Sequence, residues 1–237
     1  MDDNERIERI PQAAIGKETN FPDLDEAASA VARRVLKSSQ EIAGTTYCKG
    51  VQIAELAKWA KGNGYWIDDI QTLGKFSDRG SENEVYVSSS GAMIFKLNDF
   101  RYSDDNLSAF FDRLEAHNHY FSDCGYQLTG FAENQSGKTC AVLAQPFIVA
   151  EREATNDEIK AELQLLGFTS ELDGEYFTNG VHDIFDALPN NVLMGIDGRL
   201  YFIDTIIYKS SADTFHLYQS LSPRYKYPHP ITLMLLL

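Results

Sequence analysis

The sequence predicts an α+β fold: an antiparallel sheet that carries one helix, then a smaller and more irregular unit, with a short helical segment before both. Three observations carry that expectation. Five segments rich in β-formers, separated by turn residues, run from Gln71 to Phe147, with one amphipathic helical stretch among them. Two helical patterns precede Trp66. Beyond residue 150, a capping box and an Asp-Gly turn mark a helix and a hairpin. The expected divisions are 1–64, 65–150 and 151–237.

Residues 1–24 are polar, contain Pro11 and Pro22, and read as a loose arm. In 25–41, Ala27, Ala28, Val31, Ala32 and Val35 recur on one helical face. Gly50 to Lys61 repeats the pattern with Val51, Ile53, Leu56 and Trp59, and stops at Gly62 and Gly64. Strands follow at Gln71–Phe76, Glu84–Ser88 and Ala92–Leu97, the last two joined by Ser89-Ser90-Gly91. A helix from Asp104 to about Phe121 carries Leu107, Phe110, Phe111 and Leu114 on one side. Strands at Tyr126–Glu133 and Thr139–Phe147 complete a β-β-β-α-β-β order. Thr155 and Glu158 have capping-box spacing and open a helix that Gly167 ends. An irregular acidic patch leads to a hairpin of Val192–Met194 and Arg199–Ile203, turning at Gly195-Ile196-Asp197-Gly198.

With 237 residues and 43% hydrophobic side chains, the chain can bury a sizeable core. Its net charge of −14 repels nucleic acid phosphates at long range, so it disfavours a general nucleic-acid binder. No stretch is apolar for the length of a membrane span, and the acidic N-terminus does not read as a secretory signal. The last seven residues, Ile231 to Leu237, read as a docking end or a cut point. Cys48, Cys124 and Cys140 are widely spaced and form no CxxC, which reads as reduced thiols in a cytoplasmic protein.

The chemistry concentrates between His182 and Asp204. Asp186 precedes Asn191 by five residues, Val192-Leu193 follow, and after the Asp-Gly turn Leu200-Tyr201-Phe202-Ile203 lead straight to Asp204. This is the layout of a kinase catalytic loop and metal-binding hairpin. It would put the amide oxygen of Asn191 and the carboxylate of Asp204 at the base of one hairpin, where both can share magnesium. Lys96, in Ala92–Leu97, shares a strand face with Ile94 and is the candidate for the α- and β-phosphates of ATP. The turn Gly80-Ser81-Glu82-Asn83-Glu84-Val85 stands where a phosphate loop belongs, with Gly80, Ser81, Asn83 and Val85 as candidate nucleotide contacts. Glu115, with Asp112 one turn before it, is the expected partner of Lys96. Gln145-Pro146-Phe147 ends the fifth strand as an adenine-reading hinge would, with Leu143 near the gatekeeper position.

Together these pieces resemble the kinase-like domain of bacterial polyvalent proteins, which are large proteins of phages and conjugative elements. The matching segments are Gly80–Asn83, Val85-Tyr86, Lys96, Arg113–Asn118, Gln145–Phe147, Ala154-Thr155, Glu158-Ile159, Leu166–Phe168, Asp186, Asn191–Leu193 and Ile203-Asp204, over roughly residues 65–210. The resemblance implies a two-lobed protein-kinase-like fold with a reduced C-lobe, and a serine/threonine/tyrosine kinase that uses ATP and magnesium. Asp186, Lys96 and Glu115 would then be catalytic, and Asn191 and Asp204 would hold the metal. The chain departs from the pattern in places: Ile184-Phe185 stand before Asp186 where kinases carry His-Arg, Thr205-Ile206 follow Asp204, and no Ala-Pro-Glu comes after. Two further readings therefore stand beside the kinase: a pseudokinase that binds a nucleotide or a partner without transfer, and a small-molecule kinase. The substrate, protein or small molecule, is open.

Overall fold

The computed structural model describes residues 22–42, 48–103, 106–171, 174, 176–213 and 216. Residues 1–21 of the expected arm and the apolar run 231–237 lie outside them, while residues 22–24, expected in the arm, begin a helix. Helix α1 (Pro22–Ile42) opens on a proline, whose fixed φ suits a first turn. Helix α2 (Cys48–Asn63) ends before Gly64, which has φ 77°.

A six-stranded sheet follows, in the order β1-β5-β6-β4-β3-β2. Its strands are β1 (Trp66–Ile67), β2 (Lys75–Arg79), β3 (Asn83–Val87), β4 (Met93–Asn98), β5 (Gln127–Glu133) and β6 (Thr139–Pro146). Neighbours pair antiparallel except β1, which runs parallel to β5. Gly91, at φ 71°, closes the β3–β4 turn by donating its N–H to the Ser88 carbonyl at 2.9 Å. In the β5–β6 turn, Asn134 Oδ1 accepts the N–H groups of Ser136 and Lys138, both at 3.0 Å. Helix α3 (Ser108–Tyr120) lies between β4 and β5 in the chain.

One face of the sheet is covered by all three helices. Leu24, Ala28, Val31 and Ala32 of α1, Leu56 and Ala60 of α2, and Phe110, Phe111 and Leu114 of α3 share one core with Leu128, Phe131, Ala141 and Leu143. The helices before Trp66 therefore pack into the sheet's own core. On the opposite face Leu73, Tyr86, Leu97, Ala132, Cys140 and Val142 form a smaller cluster. The central strand β6 is buried on both sides, which accounts for its unbroken run Cys-Ala-Val-Leu-Ala.

The second half of the chain is richer in strands than its sequence suggests. Strand β7 (Ala150–Glu153) precedes helix α4 (Asn156–Leu165), and Thr155 and Glu158 make both bonds of the expected capping box. Strands β8 (Thr169–Glu171), β9 (Tyr176–Thr178), β10 (His182–Phe185) and β13 (Ile206–Lys209) form a sheet in the order β13-β10-β9-β8. Strand β11 (Val192–Gly195) pairs with both β12 (Leu200–Phe202) and β7. The acidic patch after Gly167 is thus half of a sheet: its polar residues occupy short outer strands, while Phe168, Phe177 and Ile184 go inward. The expected strand Gln71–Phe76 is also revised. Asp69 accepts the Gln71 N–H at 2.9 Å and caps a 3₁₀ turn at Ile70–Leu73, so the strand starts only at Lys75. A second core, with Ile159, Leu163, Phe168, Ile184, Val192, Phe202 and Ile207, includes Ala116 and Phe121 from the end of α3. The chain is a mixed α+β protein whose two main cores meet along α3.

Candidate active site

Where α3 meets the sheet, a cavity opens that is lined by Lys96, Asn98, Arg113, His117, Tyr126 and Asp204, with Glu82 and Asn83 at its edge. Pleating brings Lys96 there. On β4 it shares a face with Ile94 and Asn98, and it stands opposite Val85 of β3 and Leu143 of β6. Only 7% of Lys96 is exposed, yet it stays charged. Burial alone would push its pKa down, but Tyr126 and Asp204 outweigh that effect and hold it above its ordinary value. Its ammonium donates to the Ile203 carbonyl at 2.7 Å, to Tyr126 Oη at 3.3 Å and to an Asp204 carboxylate oxygen at 3.4 Å. Tyr126 in turn donates its hydroxyl to the Ile203 carbonyl at 2.6 Å.

Helix α3 presents Phe110, Arg113, Leu114 and His117 to the cavity, the i, i+3, i+4, i+7 face of a helix. Glu115 is two residues past Arg113, about 200° around the helix. It stands exposed on the other side, near Asp25 of α1, and is not brought to Lys96. What approaches Lys96 from α3 is His117. This imidazole is 1% exposed, and burial drives its pKa down to about 4. It is therefore neutral, and Nε2–H donates to the Phe202 carbonyl at 2.8 Å.

The phosphate-loop candidates divide. Asn83 is buried, accepts a 3.0 Å bond from the Asn98 amide, and lines the cavity. Val85 is half-buried across the strand pair from Lys96. Gly80 and Ser81 lie in a neighbouring depression with Arg79, Asp99 and Lys138. Between them, Glu82 lines the cavity that holds Lys96. Of the hinge candidates, Gln145 is buried and donates its side chain to the Cys124 carbonyl at 2.6 Å. Phe147 is exposed and donates its N–H to the Ala92 carbonyl at 2.9 Å. Neither lines the cavity.

The loop Asp186–Asn191 closes on itself. Asp186 sits at φ 57°, the left-handed region that a non-glycine residue enters at a cost. Asn191 Nδ2 locks this shape by donating to the Asp186 carbonyl at 2.8 Å, and Asn190 donates to Asn191 Oδ1 at 2.8 Å. Val192 pairs with Phe202, and Ile203 N–H donates to the Asn191 carbonyl at 2.9 Å, so the hairpin sets Asn191 beside the residue that precedes Asp204. Burial raises the Asp186 pKa, the bond from Asn191 partly offsets it, and the charge of Asp204 adds to it. Asp186, Asn191, Asp204 and Lys96 are thereby joined through short contacts around Ile203.

Among the described residues no group of three His, Cys, Asp or Glu side chains could hold a metal by itself. Asn191 and Asp204 offer two hard oxygen donors, the set that suits magnesium when phosphates and water complete its octahedron. Both oxygens are of the type that ion takes, and of the two residues Asp204 lines the cavity of Lys96. Sequence reasoning gave no role to Tyr126, His117, Arg113 or Glu82; the helical phase of α3 would have pointed to Arg113 and His117 once Phe110 was taken as inward.

No helix of the described residues is long and apolar enough to cross a membrane. No curated protein matches the chain significantly. A family model, described as a serine/threonine/tyrosine kinase found in polyvalent proteins, matches residues 49–211, from the start of α2 to just beyond β13. With more than half of its length matched, including Lys96, the Asp186–Asn191 loop and Asp204, the chain belongs to this family of kinases.

Proposed function

We propose that the chain is an ATP- and magnesium-dependent phosphotransferase of the protein-kinase type. The observation that carries this reading is the charged, buried Lys96, 3.4 Å from Asp204, next to the locked Asp186–Asn191 loop. Lys96 would bind the α- and β-phosphates of ATP, and Asn191 with Asp204 would hold magnesium. Magnesium, when bound, neutralises phosphate charge and orients the phosphoryl group. Asp186 would accept the proton of the attacking hydroxyl while the bond from the γ-phosphorus to its bridging oxygen breaks and a new phosphorus–oxygen bond forms. Its raised pKa suits that task, since a base is most effective when its pKa approaches the working pH.

The test uses the full chain with radiolabelled ATP and magnesium. The wild type should transfer or release the γ-phosphate and should melt at a higher temperature with millimolar MgATP. Asp204→Ala should lose both effects. Asp186→Ala should lose transfer by about 100-fold or more but keep the melting shift, as expected for removal of a general base alone. A wild type whose melting temperature ignores millimolar MgATP would sink the proposal. One observation favours a binding module without transfer: Glu115 stands away from Lys96, whose ammonium is tied to Ile203 and Asp204. That reading predicts the melting shift in the wild type and no movement of the γ-phosphate.

A further inference from the structure

Two cations line the cavity, Lys96 and Arg113, and they are not in the same state. An ammonium has three donors, and those of Lys96 are directed at Ile203, Tyr126 and Asp204. Arg113 has five N–H donors in a planar fork. Its Nε is buried without a partner, which costs free energy as long as no acceptor arrives. The guanidinium is held at 4.8 Å over the ring of Tyr208, a stacking contact that orients the fork. An oriented, unsatisfied guanidinium on a cavity wall suits a phosphate, whose oxygens accept two parallel bonds from it.

Glu82 occupies the same cavity. Its backbone carbonyl accepts the Asp99 N–H at 3.0 Å, and its carboxyl stands near the Asn98 side chain. Burial raises the Glu82 pKa, and the charge of Arg113 works against that rise. Among the described residues, no carboxylate forms a direct ion pair with Arg113, so Glu82 acts on it across the cavity. A carboxylate here repels an entering phosphate. It sits in the short link between β2 and β3.

We propose that Arg113 is a second phosphate-binding residue of this site, and that Glu82 is a built-in carboxylate that the phosphate displaces. The proposal rests on the phosphotransferase reading and extends it. Lys96 and Arg113 then divide the polyphosphate between them, from the sheet and from α3.

The experiment measures binding to the full chain by calorimetry, with MgATP and separately with inorganic tripolyphosphate. The proteins are wild type, Arg113→Ala, Arg113→Lys and Glu82→Gln. Arg113→Ala should weaken both ligands by about tenfold or more, the loss of a charge-assisted bond. Arg113→Lys should recover part of it, as charge returns without the fork. Glu82→Gln should tighten both. If Arg113→Ala melts below the assay temperature, Arg113→Lys and Glu82→Gln decide. MgATP affinity unchanged in the Arg113 and Glu82 variants overturns the proposal and leaves the Lys96–Asp204 reading intact. Arg113-dependent binding of tripolyphosphate without binding of MgATP supports the proposal and removes the nucleotide reading. A folded wild type that binds neither ligand overturns both.

Discussion

His117 fills the place behind Lys96 as a neutral ring, with Nε2–H bonded to Phe202 and Nδ1 buried without a partner. With its pKa near 4 in the folded chain and near 6.5 unfolded, the unfolded state binds the extra proton between those values. The contribution of His117 is therefore complete above about pH 6.5 and is lost as pH falls toward 4, on the order of 3 kcal/mol. In His117→Gln the amide can still donate to Phe202, but nothing titrates. The stability gap between wild type and variant, followed by urea unfolding, should narrow or reverse between pH 7.5 and pH 5; a gap independent of pH would refute the assignment. At this scale the sequence was most readable where spacing along the chain fixes chemistry. Asp186, Asn191 and Asp204 lie on one loop and one hairpin, so their proximity follows from local turns. Glu115 was a choice between neighbouring carboxylates on a helix whose phase is set by packing. Tyr126 reaches Lys96 from a distant strand end, which no local pattern encodes.

Gly130 shows how an element depends on a single missing atom. A Cβ there would stand 2.5 Å from the Tyr65 carbonyl oxygen, the same oxygen that accepts the Phe131 N–H at 2.8 Å and starts the pairing of β1 with β5. Gly130→Ala should cost about 1–3 kcal/mol, the usual range for overpacking, seen as a lower urea midpoint with an unchanged slope. A variant as stable as the wild type would mean that β1 can shift away freely. Helices α1 to α4 and the strands of the first sheet from β3 to β6 were legible from their apolar periods, and α4 also from its capping box. β1 was hidden because two residues carry no period. β8 and β9 were hidden because three-residue strands with polar outer positions look like loop. Asp69 took Gln71 into a turn that its β-forming neighbours did not foretell.

Over the whole molecule, the family match and the packing do not share an N-terminal boundary. The match begins at residue 49, but α1 supplies Leu24, Ala28, Val31 and Ala32 to the core that backs the Lys96 face of the sheet. A chain shortened to residues 49–211 would leave Phe110, Phe111 and Leu114 partly uncovered. It should unfold at a lower temperature and bind a hydrophobic dye that the full chain excludes. Equal stability of the two would show that α1 is dispensable. That core has a counterpart in the second one, and Lys96 connects them, since it belongs to the first sheet and donates to Ile203 at the end of β12.

The order of the six-stranded sheet also governs how copies of the chain meet one another. An open sheet edge invites another strand to add to it. At one end β1 pairs with only Phe131 and Ala132 of β5, and its two residues have no length to template a neighbour. At the other, β2 is exposed throughout, but it is bent by a bulge between Phe76 and Asp78 and carries Lys75, Asp78 and Arg79. The charged, bulged β2 border therefore discourages strand addition on its side of the sheet.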